Sequence, residues 1–145
     1  MNTMNADYQT DRVALVQTIP ETPSAVTVLC ASESWSTPVP DRLLVGAGIQ
    51  RVIDTHRQFE GALTLSRFRR SSIFSDSEWQ SLWDSDLLEP ATALLSVPVC
   101  PSNAPVAYLW LVADNGSREW SSHDRDLAEE EAVLLARVLD REMLR

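Results

Sequence analysis

The stretch Val106-Ala107-Tyr108-Leu109-Trp110-Leu111-Val112-Ala113 is apolar throughout and stops at Asp114-Asn115-Gly116. A short run of β-branched, aromatic and aliphatic residues predicts a strand, and the Asn-Gly stop predicts a turn. A second apolar run, Thr92 to Val99, precedes it across a tight loop, Pro101 to Pro105. Two further strands are predicted near the start, Arg12 to Ile19 and Ala25 to Ala31, paired as a hairpin across Pro20-Glu21-Thr22-Pro23. In the first of these, Val13, Leu15 and Gln17 share a face. Gly61 to Phe68 reads as another strand, with Leu63 and Leu65 on the buried side.

Helical spacing separates these runs. From Asp41 to Gln58, Val45, Ile49, Val52, Ile53 and His56 fall on one face. His56 reads as the polar edge of that face. Ser75-Asp76-Ser77-Glu78 is a capping box. It opens a short helix in which Trp79, Leu82 and Trp83 lie together, and Pro90 closes the region. Ser121 or Ser122 caps a last helix running to Leu144, with Asp124, Asp126 and Glu129 to Glu131 near its positive end. Its apolar band holds Leu127, Ala128, Ala132, Leu134, Leu135, Val138, Leu139 and Met143. The whole predicts one α/β (α+β) domain over residues 11–145, with residues 1–10 a disordered tail and 32–40 a loop.

Charge and composition narrow the chemistry. The net charge is −9, which opposes phosphate backbones and anionic lipid, so neither nucleic-acid binding nor membrane insertion is expected. No apolar run reaches the ~20 residues of a membrane span. The polar first ten residues lack the pattern of a signal peptide, and the expected location is cytoplasmic. Lysine is absent, which removes Schiff-base chemistry and the P-loop lysine. Gly46-Ala47-Gly48 therefore reads as the flexible start of a helix. Cys30 and Cys100 read as reduced thiols, at least one of them packed in the core, and no zinc-type spacing joins them to His56 or His123. No cofactor or metal is expected.

The order strand, strand, helix, strand, short helix, strand, strand, helix resembles that of GAF domains. Leu94-Leu95-Ser96-Val97-Pro98-Val99 followed by Val106 to Leu111 resembles their central strand pair. Glu119-Trp120-Ser121-Ser122-His123-Asp124 resembles the lead into their last helix, and Gly48-Ile49-Gln50-Arg51-Val52-Ile53 the helix after their second strand. The resemblance spans about residues 12 to 143. It implies a central antiparallel sheet of five to six strands with flanking helices. GAF domains usually carry a helix before the first strand. Only about ten polar residues precede Arg12, so that helix is expected to be missing or very short.

GAF-like folds include ligand sensors, bilin photoreceptors, a few enzymes and interaction modules, and the fold alone does not choose. Free methionine sulfoxide reduction needs thiols in the Val45–Gln50 stretch and after the third strand, and neither has one. Covalent bilin attachment needs a cysteine on the short helix, and Trp79 to Glu89 has none. The expectation is a non-catalytic regulatory or adaptor domain acting through a protein partner. The alternative is a sensor holding a small molecule or tetrapyrrole noncovalently between the sheet and residues 68–83. Candidate contacts are Arg67, Arg69 and Arg70, the one dense basic group, together with Trp79 and Trp83. A homodimer, or a heterologous partner, is expected on the last helix through Leu127, Leu134 and Val138.

Overall fold

The computed structural model describes residues 12–31, 41–59, 61–85, 88, 91–113 and 120–143. The expectations for the tail at 1–10, the loop at 32–40 and the stop at 114–116 lie outside these residues. Six strands form one antiparallel sheet: β1 (Arg12–Thr18), β2 (Ala25–Ala31), β3 (Arg42–Leu44), β4 (Leu63–Ser66), β5 (Ala93–Val99) and β6 (Ala107–Ala113), in the order β3-β2-β1-β6-β5-β4. The helices are α1 (Ala47–Gln58), α2 (Asp76–Trp83) and α3 (Ser122–Met143).

The central strands are covered on both faces, so they cannot alternate apolar with polar. On one face Val16, Leu94, Tyr108, Trp110 and Val112 pack beneath α1 and α2. On the other, Val13, Leu15, Leu95, Val97, Leu109 and Leu111 pack with Ala128 and Ala132 of α3. Leu65 is buried on the α1/α2 face with Leu63 packed beside it, as the sequence spacing predicts. A bulge between Leu15 and Val16 lets β1 pair with β2 at both ends.

Two boundaries differ from the sequence expectation. The helix starts at Ala47, not Asp41. Arg42–Leu44 instead pairs with β2 and becomes the sixth strand, with Leu43 buried and Leu44 out in solvent. That is the alternation of a strand, and Gly46, in extended backbone as the helix N-cap, separates it from α1. The expected strand Gly61–Phe68 stops at Ser66. The chain turns there, with the Arg69 N–H donating to the Ser66 carbonyl at 3.1 Å.

The final helix is capped by Ser121. Its hydroxyl accepts from the Asp124 N–H at 3.1 Å, and the Asp124 carboxylate accepts from the Ser121 N–H at 2.9 Å. Two more carboxylates hold the helix down. Glu129 accepts from the Ala62 N–H at 3.1 Å, just before β4. Asp140 accepts from the N–H groups of Ser102 and Asn103, at 3.0 and 2.6 Å, in the β5–β6 loop. Among the described residues no helix is long and apolar enough to cross a membrane.

Candidate functional site

The segment from Ser66 to Trp83 divides the sequence-predicted contact residues into two groups. The capping box forms as expected: Ser75 Oγ accepts from the Glu78 N–H, and the Glu78 carboxylate accepts from the Ser75 N–H. It aims α2 so that Leu82 and Trp83 are buried against the sheet. Trp79 is half-buried and meets the edges of Phe74 and Trp83, with ring centroids 5.2 and 5.5 Å apart. Phe74 and Leu88 are buried in the same cluster. These side chains pack between the sheet and residues 68–83, the region where the sensor alternative would hold its ligand.

The arginine trio is split by the turn after Ser66. Arg70 points back along the chain, pairing with the Asp76 carboxylate and donating to the Phe74 carbonyl at 3.1 Å. It closes the loop before α2. Arg67 and Arg69 are exposed, and Phe68 between them is 69% exposed. Ile73 adds a second exposed apolar side chain nearby in the loop.

α1 and α2 are joined closely. Glu78 accepts both the Nε and a terminal nitrogen of Arg51, at 3.1 and 2.9 Å. The Arg51 guanidinium, followed by the Ser75 N–H, holds the Glu78 carboxyl down to about 2. Gly48 lies against the α2 backbone, and its N–H donates to Ser81 Oγ at 3.2 Å.

Behind this joint is a buried polar network that sequence reading placed only in part. His56 Nε2 lies 2.9 Å from Ser96 Oγ, and the Trp110 indole N–H donates to the same oxygen at 3.0 Å. The imidazole stacks on Tyr108 with centroids 5.5 Å apart. With the hydroxyl accepting from Trp110, its own hydrogen suits an accepting, neutral His56. Burial lowers the His56 pKa below 6.5, and the Phe59 backbone opposes this without making a hydrogen bond of good geometry to Nδ1. The one sequence signal was a serine inside the run Leu94-Leu95-Ser96-Val97. His56 also lines a cavity of about 400 Å³ with Gln50, Arg57, Tyr108 and Cys100, between the C-terminal half of α1 and the β5–β6 loop.

The lowered pKa has a measurable consequence. Below pH 6.5 the unfolded chain binds a proton that folded His56 resists. Stability is therefore full above about pH 6.5 and declines as the pH falls toward the lower folded value. We expect the urea midpoint to drop between pH 7 and 5, and the drop to shrink in His56→Asn. An unchanged slope in that variant would assign the decline to other groups.

The thiols do not form a reactive pair. Neither is in a disulfide; Cys30 is half-buried and packs with the α3-side cluster, whereas Cys100 is exposed. Burial raises the Cys30 pKa, which disfavours the nucleophilic thiolate. Among the described residues no group of three or more His, Cys, Asp or Glu could hold a metal ion.

Solved structures of the same architecture place this arrangement. A GAF domain of Synechocystis sp. PCC6803, in its photoproduct state, superposes with a TM-score of 0.72 at 16% identity, covering 99% of this chain and 90% of its own. The chain has the GAF-domain fold. The phycoerythrobilin-bound GAF domain of a cyanobacterial phytochrome matches this GAF fold with a TM-score of 0.75 at 10% identity, covering 97% and 81%. The GAF domain of a two-component sensor histidine kinase from Bacillus halodurans matches with 0.60 at 16%, covering 95% and 92%. No family model matches the sequence, and no curated protein matches it either.

Proposed function

We propose that this GAF-fold domain is a non-catalytic regulatory module that binds a protein partner through the turn carrying Arg67, Phe68 and Arg69. The observation that carries this reading is the division of the segment before and within α2. Phe74, Leu82 and Trp83 are committed to the core, while Phe68 stands 69% exposed between two arginines. An aromatic ring flanked by guanidinium groups is the side-chain set of an interface hot spot. On a chain of net charge −9, this basic turn suits a partner with an acidic patch. Fold neighbours that are sensor domains support a regulatory role over a catalytic one. A half-buried thiol whose pKa burial raises and a histidine whose pKa burial lowers support it as well.

The test is affinity capture from native cell extract with the wild type and with Arg67→Ala/Phe68→Ala/Arg69→Ala. Exposed side chains outside any network contribute less than about 1 kcal/mol each, so the triple variant should stay folded. We expect it to lose the proteins that the wild type enriches. Equal capture by a folded triple variant refutes this surface.

A second reading rests on the cavity beside His56. Its apolar wall and the Arg57 guanidinium suit a small organic acid, which makes it the better seat for the sensor alternative. A rise in melting temperature with such acids, abolished by Arg57→Ala, would favour it.

A further inference from the structure

The outer face of α3 is apolar and carries its own charge code. Leu134 and Val138 are 52% and 46% exposed, and Leu127 is half-buried on the same side. At about 100° per residue these three fall within about 40° of one another, a narrow strip along the helix. Glu130, Arg137 and Arg141 are exposed and lie along one flank of that strip. Ahead of Leu134 the helix is rich in acid: Asp124, Asp126 and Glu129 to Glu131. Beyond it come Arg137 and Arg141 along that flank, with Asp140 engaged with the β5–β6 loop and Glu142 on the other side of the strip.

We infer that α3 pairs with α3 of a second copy of this chain, antiparallel, with Leu134 beside the two-fold axis. Glu130 and Arg137 stand on the same flank at nearly equal distances on either side of Leu134. An antiparallel pair therefore brings Glu130 of each copy to Arg137 of the other, twice by symmetry. In a parallel two-fold pair the same flank of the two copies lies on opposite sides of the interface, so Glu130 and Arg137 would not meet. The helix dipoles also oppose favourably in the antiparallel arrangement. This self-complementarity is what a two-fold interface requires and what a chance partner would lack. It stands independently of the contact proposed for Phe68.

Sedimentation velocity across the micromolar range, at physiological salt, tests the pairing. The wild type should sediment as a dimer, and Leu134→Glu and Val138→Glu as folded monomers, since both positions are open to solvent. Glu130→Arg and Arg137→Glu should each weaken the dimer about tenfold, roughly 1.4 kcal/mol, and the double reversal should restore it. Weakening by Glu130→Arg is the sharp result, because that change reduces the net negative charge and a nonspecific effect would tighten the dimer. A monomeric wild type, a dimer that survives both glutamate substitutions, or a tighter Glu130→Arg dimer each overturn the proposal.

Discussion

Gly48→Ala should destabilise the domain by about 3 kcal/mol or more, a loss of about 10 °C in melting temperature, or prevent folding. Helix propensity alone gives the opposite sign. Alanine in a helix is favoured over glycine by about 1 kcal/mol. The difference comes from what a Cβ would meet: the Leu82 backbone N at 2.3 Å, the Leu82 Cα at 2.4 Å and the Glu78 carbonyl oxygen at 2.5 Å. These are backbone atoms of α2, which no rotamer change moves aside. α1 and α2 would have to separate, loosening the Arg51–Glu78 pair and the Gly48–Ser81 hydrogen bond together. Gly46→Ala is the control. Its nearest atom is the flexible Ser81 Oγ at 2.9 Å, and Gly46 has φ −81°, which any residue adopts. Circular-dichroism melts of the two variants decide the matter. A Gly48→Ala protein as stable as wild type would mean that the helices do not approach this closely.

Ser96→Ala should cost about 3 kcal/mol, or about 10 °C in melting temperature. One hydroxyl serves two buried groups, the Trp110 indole and the His56 imidazole. Removing it strands both, and each stranded group costs about 1–3 kcal/mol. A cycle separates this from lost packing. In a His56→Leu/Trp110→Phe background the hydroxyl has no partner to satisfy, so Ser96→Ala should cost little. Equal cost in both backgrounds would reduce Ser96 to a space-filling residue.

The sheet was legible because its signals are local. β1, β2, β5 and β6 announce themselves through apolar runs bounded by prolines, and α2 through a capping box. Where signals depend on distant partners, the sequence misleads. Asp41–Val45 reads as the first turn of a helix because Val45 has the right spacing. Pairing with β2 makes Arg42–Leu44 a strand instead. Arg67, Arg69 and Arg70 look equivalent in sequence, yet after the turn at Ser66 Arg70 is tied at the surface to Asp76 and the Phe74 carbonyl, closing the loop before α2. Trp79 and Trp83 are correctly placed on one helical face, but only packing reveals that the face is spent on the core. Gly48 gave no warning at all, since a close helix contact leaves no mark in composition.

Glu129 and Asp140 give α3 a mechanical role. They are separated by about 16 Å of helix, and each grips backbone N–H groups of a different hairpin element. The helix is thus a strut fastened at two points. A load applied to its outer face reaches the start of β4 and the loop beside Cys100 through these two grips, as well as the sheet packed beneath the helix. The loop borders the 400 Å³ cavity, so tension along α3 and the shape of that cavity share one linkage.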